Sequence, residues 1–509
     1  MIGKLPLRMT DAADSAWSKV VRRDTCWRLV LPQELKVFRL GLRNTICRSW
    51  VIWFALVLFA PSTSWSQQSA GTGGTPLTQI PLTGGQGTFY LSQFANPALR
   101  SSLYMTPAFP WTGIYPVYPS GYTEIIREGG VLAGPVRLHP FMGVAEMYTD
   151  NVFRTNSKRS DFFTTLAPGI QAQLPMGRHL FVADYRTNLQ FYHRTPTNNV
   201  QDQTASGLLE FNLASGLKLD FRGEHKLGHD PRGTAVDLQN LEMNKWTTNG
   251  FTGQAQYQGG QIGMALTTQI LRWTYLNNNQ GIIRDRLSNY TGLRFSGHVF
   301  PNTSALLDFS ATQDIYDQNK NLDNSIYTVS TGARWEATGI TGGEILVGYQ
   351  FIKFTNAQVN QPPPVLSQYS RDEDSAGNLF VAGKLYWLPL PALTVTLQPY
   401  RTIQQTVVAG TSFFTATGVN LTAVRELTER MDFTVNLGYE RDDFSTPAGA
   451  TASTPARTDE LKNAAVGLNY RAVKWLGAGV QYVFEDRNSN VSQFQYQANT
   501  VMVSVQGFF

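Results

Sequence analysis

The chain has 509 residues, 42% of them hydrophobic, with 42 Lys/Arg against 37 Asp/Glu and two cysteines. Its mean hydropathy is slightly negative, which excludes a bundle of membrane-spanning helices. The length admits several ordinary domains or one large barrel.

The one uninterrupted apolar run, residues 50–60 (WVIWFALVLFA), is too short to cross a bilayer as a helix and suits the core of a signal peptide. Arg43 and Arg48 precede it, and Ser64-Trp65-Ser66 places small residues at −3 and −1 of a cut after Ser66. Residues 1–66 are therefore read as an N-terminal extension plus signal peptide. The part before the apolar run is long, so either translation starts downstream of Met1 or the extension is real. Cys26 and Cys47 both fall in this part, and Cys47 precedes the apolar core, which does not support a lipoprotein anchor. A mature chain without cysteine needs neither disulfides nor a thiolate metal site. Residues 1–66 also hold ten Lys/Arg and four Asp/Glu, leaving 32 against 33 beyond the cut. The basic pI of about 9.0 thus belongs to the targeting segment, and nucleic acid is not expected as a partner.

Residues 67–135 are rich in Gly, Pro, Ser and Thr, with scattered aromatics such as Phe89, Tyr104, Trp111 and Tyr122. Two readings stand: a flexible periplasmic tether, or a segment that enters the pore or docks on a partner through its tyrosines. The glycine clusters match no phosphate-cradling pattern.

From residue 136 to 509 the pattern changes to segments with period-2 alternation. Eighteen are found: 138–148, 162–174, 179–193, 203–214, 217–228, 244–257, 261–276, 285–299, 303–316, 325–337, 343–355, 378–387, 392–407, 412–427, 431–444, 460–471, 475–485 and 493–509. In 217–228, Leu217, Leu219 and Phe221 share one side, and Lys218, Asp220, Arg222 and Glu224 the other. In 431–444, Phe433, Val435, Leu437 and Tyr439 oppose Asp432, Thr434, Asn436 and Glu440. A Lys or Arg at the bilayer midplane costs about 2–4 kcal/mol on a barrel's lipid face, so the charged sides must look inward.

Connections after even-numbered segments are tight, as at 175–178, 258–260, 300–302 and 428–430. Those after odd-numbered ones are longer and polar, including 229–243, 356–377 and 445–459. One connection, near 408–411, is short where a long one is expected. Tyr192, Trp246, Tyr257, Trp273, Tyr275, Trp387 and Trp475 lie near segment ends, as interfacial girdles require. The last segment ends NTVMVSVQGFF without a charged side chain. It must pair with 138–148 to close the ring, because an open edge cannot be satisfied in lipid. The fold class expected is all-β: a transmembrane antiparallel up-and-down β-barrel of about 18 strands (16 to 18), with both mature termini periplasmic.

Residues 141–173 carry Tyr148-Thr-Asp150-Asn151-Val-Phe153, then Ser160-Asp161, then Leu166-Ala-Pro168-Gly169. This stretch resembles the opening hairpin of the Putative β-barrel porin 2 family. The resemblance implies an outer-membrane barrel and, as for some members, a role in exopolysaccharide or capsule export beside a periplasmic polysaccharide-export protein. The final strand also resembles the C-terminal strand of bacterial outer-membrane proteins, which implies that Phe509 is read by the barrel-assembly machinery. Outer-membrane lipid is the remaining partner expected.

Eighteen strands enclose an aqueous channel. The inward candidates are Asp184, Arg186, Lys218, Asp220, Arg222, Glu224, Arg294, Asp308, Arg334, Glu336, Lys384, Glu440, Arg471 and Glu485. Both signs are present, so pairing within the wall is the default, and a selectivity ring of one sign is the alternative. Gln190, Gln254, Gln256, Gln398, Gln404, Gln481, Asn420 and Asn436, with Tyr192 and Tyr400, add a neutral lining that suits sugars. His225 and His229 share a face with Asp230 following, but no third metal ligand is evident. No motif marks a nucleophile, so no catalytic residue, metal or cofactor is assigned and no enzyme activity is expected. Asp372-Glu373-Asp374 and Asp442-Asp443 read as solvated loop charge, and the Pro362–Pro364 run as a stiff spacer. The expected function is a polar outer-membrane pore, the barrel of a polysaccharide-export system. A diffusion porin for sugars or other small solutes is the second reading; a barrel enzyme or adhesin comes last.

Overall fold

A computed structural model describes residues 130–213, 216–233, 242–335, 340–355, 375–390, 392–406, 411–445 and 456–508. Ser66, Glu336, the Asp372–Asp374 cluster, the proline run and Phe509 lie outside the described residues.

The alternating segments become nineteen strands. They are β1 (Val131–Ala133), β2 (Val136–Thr149), β3 (Asp161–Met176), β4 (His179–Tyr192), β5 (Val200–Asn212), β6 (Leu217–His229), β7 (Lys245–Gly259), β8 (Ile262–Tyr275), β9 (Arg286–Phe300) and β10 (Thr303–Tyr316). There follow β11 (Asn324–Trp335), β12 (Thr341–Phe354), β13 (Ser375–Leu390), β14 (Leu393–Gln405), β15 (Phe413–Thr428), β16 (Met431–Phe444), β17 (Thr458–Val473), β18 (Leu476–Ser489) and β19 (Tyr496–Phe508). Each of the eighteen expected segments is one of β2 to β19. The three-residue β1 turns back on β2, with Val131 opposite Leu138. The sheet therefore begins slightly upstream of residue 136.

From β2 onward each strand pairs antiparallel with the next, and β19 returns to β2, from Thr500↔Thr149 to Phe508↔Phe141. The ring is closed, and every strand from β2 to β19 has a neighbour on each side. That removes the unpaired edge a hydrocarbon layer would penalise.

The two faces separate as the alternation requires. On β19, Val501, Val503 and Val505 are about half exposed on the membrane side, while Thr500, Met502 and Ser504 are buried inward. On β11, Tyr327 and Val329 face out, and Thr328 and Ser330 face in. Tight turns such as 177–178, 301–302 and 429–430 gather at one end of the barrel, together with the start of β2 and the end of β19. The long connections gather at the other.

Local chemistry breaks the ladder where a donor is missing. The β3–β4 pairing passes from Leu166↔Leu189 to Gly169↔Arg186 and skips Pro168, which has no N–H to give. Gly169 lies under the Phe141 ring, whose Cζ would stand 2.1 Å from any added Cβ.

Candidate functional site

Charge on the inner wall comes in pairs. On β4, Arg186 Nε donates to Asp184 at 2.6 Å. Lys218 of β6 lies 2.8 Å from Glu210 and 3.5 Å from Asp220. Glu224 joins Arg222 at 3.2 Å and Lys226 at 2.8 Å. Further round the ring, Arg294 reaches Asp308 through Nε at 2.7 Å and Glu344 at 2.8 Å, and Arg334 bonds the same Glu344 at 2.7 Å. Lys384 stands opposite Glu344 in the β12–β13 register. Glu440 accepts from the Tyr400 hydroxyl, and Glu485 from Arg154. Arg471 lies at the tight-turn rim with its side chain exposed.

These contacts answer the question of a one-sign ring. Five of the seven inward cations named from the sequence (Arg186, Lys218, Arg222, Arg294 and Arg334) have an acid within about 3 Å, so the wall's fields cancel locally there. Glu210, Lys226, Glu344 and Arg154 escaped the sequence reading. The first three share the inward parity of their strands, which was signal enough to find them. Arg154 sits in a loop and gave none.

The mouth at the long-loop end is narrowed from two sides. On one side Asp230 to Gly233, just after β6, fold inward and reach β18 and β19. The Gly233 carbonyl accepts from Arg487 Nη1 at 3.1 Å and from the Tyr496 hydroxyl at 3.3 Å. Asp230 bonds Arg284, from the helical turn Gly281–Arg284, and Asn244 Nδ2 at 3.1 Å. Burial alone would lower the Arg284 pKa, but the Asp230 carboxylate holds it above its ordinary value. Arg232 donates to Asn198 Oδ1 at 3.0 Å and covers the Phe153 ring. Gly233 has a φ of +75°, and a Cβ there would stand 2.6 Å from the Tyr496 hydroxyl. Position 233 therefore demands glycine. Beneath this strap, Asp459 holds both Arg457 and Arg487, all three buried.

On the other side, the end of β14 leaves β13, while β15 stays paired with β16 up to Phe414↔Phe444. The β13–β14 ladder stops at Val381↔Arg401, while β14 stays paired to β15 up to Gln405↔Phe413. The freed Ile403 N–H is taken by Gln350 Oε1 of β12 at 2.6 Å, which also accepts from the Thr402 hydroxyl at 2.9 Å. Gln405 bonds Asp314 of β10 and Asn324 of β11. Ile403 and Phe413 pack into a buried cluster with Tyr316, Leu322, Ile326, Ile352 and Phe354. A hairpin end whose apolar side chains are seated on the inner wall needs no long external loop. That is the physical reason for the short connection near 408–411, whose own residues 407–410 lie outside the described set.

Two sequence expectations are corrected here. Trp246, Trp273 and Tyr275 do not form a lipid girdle but pack together inside, and Tyr192, placed both in the girdle and in the lining by its sequence, lies on the inner side stacked on Phe163. Trp273 and Tyr275 share the inward parity of Leu271 on β8, and Arg286 and Arg284 stand over their rings. Tyr257, Trp387 and Trp475 do face outward. Asp442 is not solvated loop charge; it is buried on β16, and its neighbour Asp443 pairs outward with Arg441 at 2.9 Å. His225 and His229 take separate partners, Asn249 and Asp202.

A closed antiparallel barrel with apolar strands facing out, a charge-paired inner wall and loops folded into its mouth defines an outer-membrane channel protein of the porin type. The chain belongs to the family described as "Putative beta-barrel porin 2", whose profile matches residues 127–508. Similar solved structures include the outer membrane protein opdK from Pseudomonas aeruginosa (9% identity, 73% of this chain and 98% of that one, TM-score 0.42). Others are the siderophore receptor PirA of Pseudomonas aeruginosa (11%, 73% and 80%, 0.40) and OccAB4 of Acinetobacter baumannii (12%, 73% and 98%, 0.40). No curated protein matches the sequence.

Proposed function

We propose that this outer-membrane channel is the barrel component of a polysaccharide-export route, narrow at rest and widened when its polymer passes. The observation that carries the reading is the mouth, where Gly233 is bonded to Arg487 and Tyr496 and the β14–β15 end is seated on Gln350. A diffusion porin works by standing open, whereas an exporter must not leak between polymers. The partly exposed inward Gln256, Gln398, Asn420 and Asn436 offer neutral donors and acceptors to sugar hydroxyls. The family resemblance supports the same role beside a periplasmic export protein.

The second reading, a diffusion porin for small sugars, is favoured by the same neutral lining. Planar-bilayer recording separates the two. The export reading expects the purified protein alone to conduct rarely, and a steady open current would overturn it. Deletion of the gene should lower surface and secreted polysaccharide; unchanged amounts would also overturn it.

A further inference from the structure

The parting of β13 from β14 leaves a wedge in the barrel wall on the long-loop half. β13 runs on to Ser375, held by β12 through Lys353↔Ser375, and β14 runs on to Gln405, held by β15. Above Val381↔Arg401 the two strands share no ladder. Below it the pairing is interrupted again where Pro399, lacking an N–H, faces Gly383. Side chains bridge the wedge in place of backbone. Asn378 Oδ1 accepts from Arg401 Nη2 at 3.0 Å and from the Leu379 N–H at 2.9 Å. Asn378 Nδ2 donates to Thr415 Oγ1 at 2.8 Å, and Arg401 also donates to Thr417. Such a clasp opens by side-chain rotation, without breaking a strand pair.

Behind the wedge the inner wall changes character. Leu306, Leu346, Phe380 and Ala382 form a buried apolar cluster. Leu346 and Phe380 line one cavity with Arg294, Asp308, Tyr290 and Ser330. Outside the wedge, Leu379 is half exposed towards the membrane. Apolar surface thus runs from the membrane side to the lumen side of a gap held by three polar side chains, and ends beside charge. An aliphatic chain matches the first part and a polar head the second.

We propose that the β13–β14 wedge is a side door between the lumen and the lipid phase, and that it takes an amphipathic molecule with one aliphatic chain and a polar head. Asn378 and Arg401 are its latch. The proposal does not depend on polymer export.

The test uses the full chain in phospholipid vesicles, with Cys26 and Cys47 replaced by Ser, and a maleimide bearing a dodecyl chain dissolved in the bilayer. Phe380→Cys places a thiol behind the wedge, and Ser504→Cys places one on the inward face of β19 as a control. Removing the latch with Arg401→Ala should raise the labelling rate of Phe380→Cys several-fold and leave that of Ser504→Cys unchanged. A rate at position 380 indifferent to Arg401→Ala, or a rise equal at both positions, overturns the door. If Phe380→Cys does not fold, as judged by the heat-dependent band shift of barrels in gels, Ala382→Cys on the same inward face takes its place under the same criteria.

Discussion

Asp150 and Asn499 lock the first strand of the barrel to the last. Asp150 Oδ1 accepts the Asn499 backbone N–H at 2.7 Å, and Oδ2 accepts the Asn499 side-chain amide at 2.8 Å. Beside them Asn151, fully buried, donates to the Gln497 carbonyl at 2.9 Å. The Tyr-Thr-Asp-Asn stretch that carries the family resemblance is thus the fastening of the ring's closing seam.

This latch titrates. Partial burial pushes the Asp150 carboxyl up, but the Asn499 donors and the Lys158 ammonium outweigh it and hold it below the ordinary carboxylate value. A depressed folded-state pKa gives stability that is present above the unfolded value and is lost as pH falls through the folded one. Heat-shift gels should show the unfolding temperature of the native barrel falling more steeply under acid conditions than that of Asp150→Ala. At neutral pH, Asp150→Ala should cost about 1 kcal/mol. Parallel pH profiles for the two proteins would contradict the assignment.

The faces can be tested on one strand. Val435 looks towards lipid, while Asn436 looks inward and accepts from Thr422 at 2.8 Å. Val435→Arg should block assembly or cost about 2–4 kcal/mol. Asn436→Arg should fold and alter conductance. Refolding yield into vesicles, scored by the gel shift, decides between them.

Gly233→Ala should loosen the strap, because its Cβ meets the Tyr496 hydroxyl at 2.6 Å and the backbone φ of +75° disfavours a side chain. The Gly233 carbonyl bonds Arg487 and Tyr496 at the long-loop ends of β18 and β19, so the stability of the rest of the barrel should change little. Single-channel recording should show more frequent or larger openings; conductance identical to the parent would separate the strap from the gate.

Gln350→Leu removes the acceptor of the Ile403 N–H and leaves it buried without that partner. The cost should be about 1–3 kcal/mol, together with added current noise from a less firmly seated β14–β15 end. Gln350→Glu keeps an acceptor and should largely restore a quiet baseline.

Much of the site was legible in residue parity. Leu217 to Glu224 display their two faces in order, and Asp308, Arg294 and Arg334 fall on the inward side because charge cannot face hydrocarbon. Their partners were less legible. Glu344 needed the register of the three seams from β9 to β12 to meet Arg294 and Arg334, and Arg154 reached Glu485 from a loop. The aromatics misled, since a tryptophan near a strand end fits a membrane girdle and a stack over arginine equally well. Trp246 and Trp273 took the second course.

Alternation along the chain was enough to give the eighteen strands of the ring to within two, the lipid-facing side of each, and the return of the last segment to the first. These follow from period-2 alternation and from the cost of an unpaired edge, both properties of short stretches of chain. Tertiary structure alone decided where the chain turns inward. The Gly233 strap depends on Arg487 and Tyr496, far along the chain, and the release of β14 from β13 depends on Gln350 receiving the Ile403 N–H. No local pattern encodes such a bond, because its donor and acceptor become neighbours only when the ring is closed.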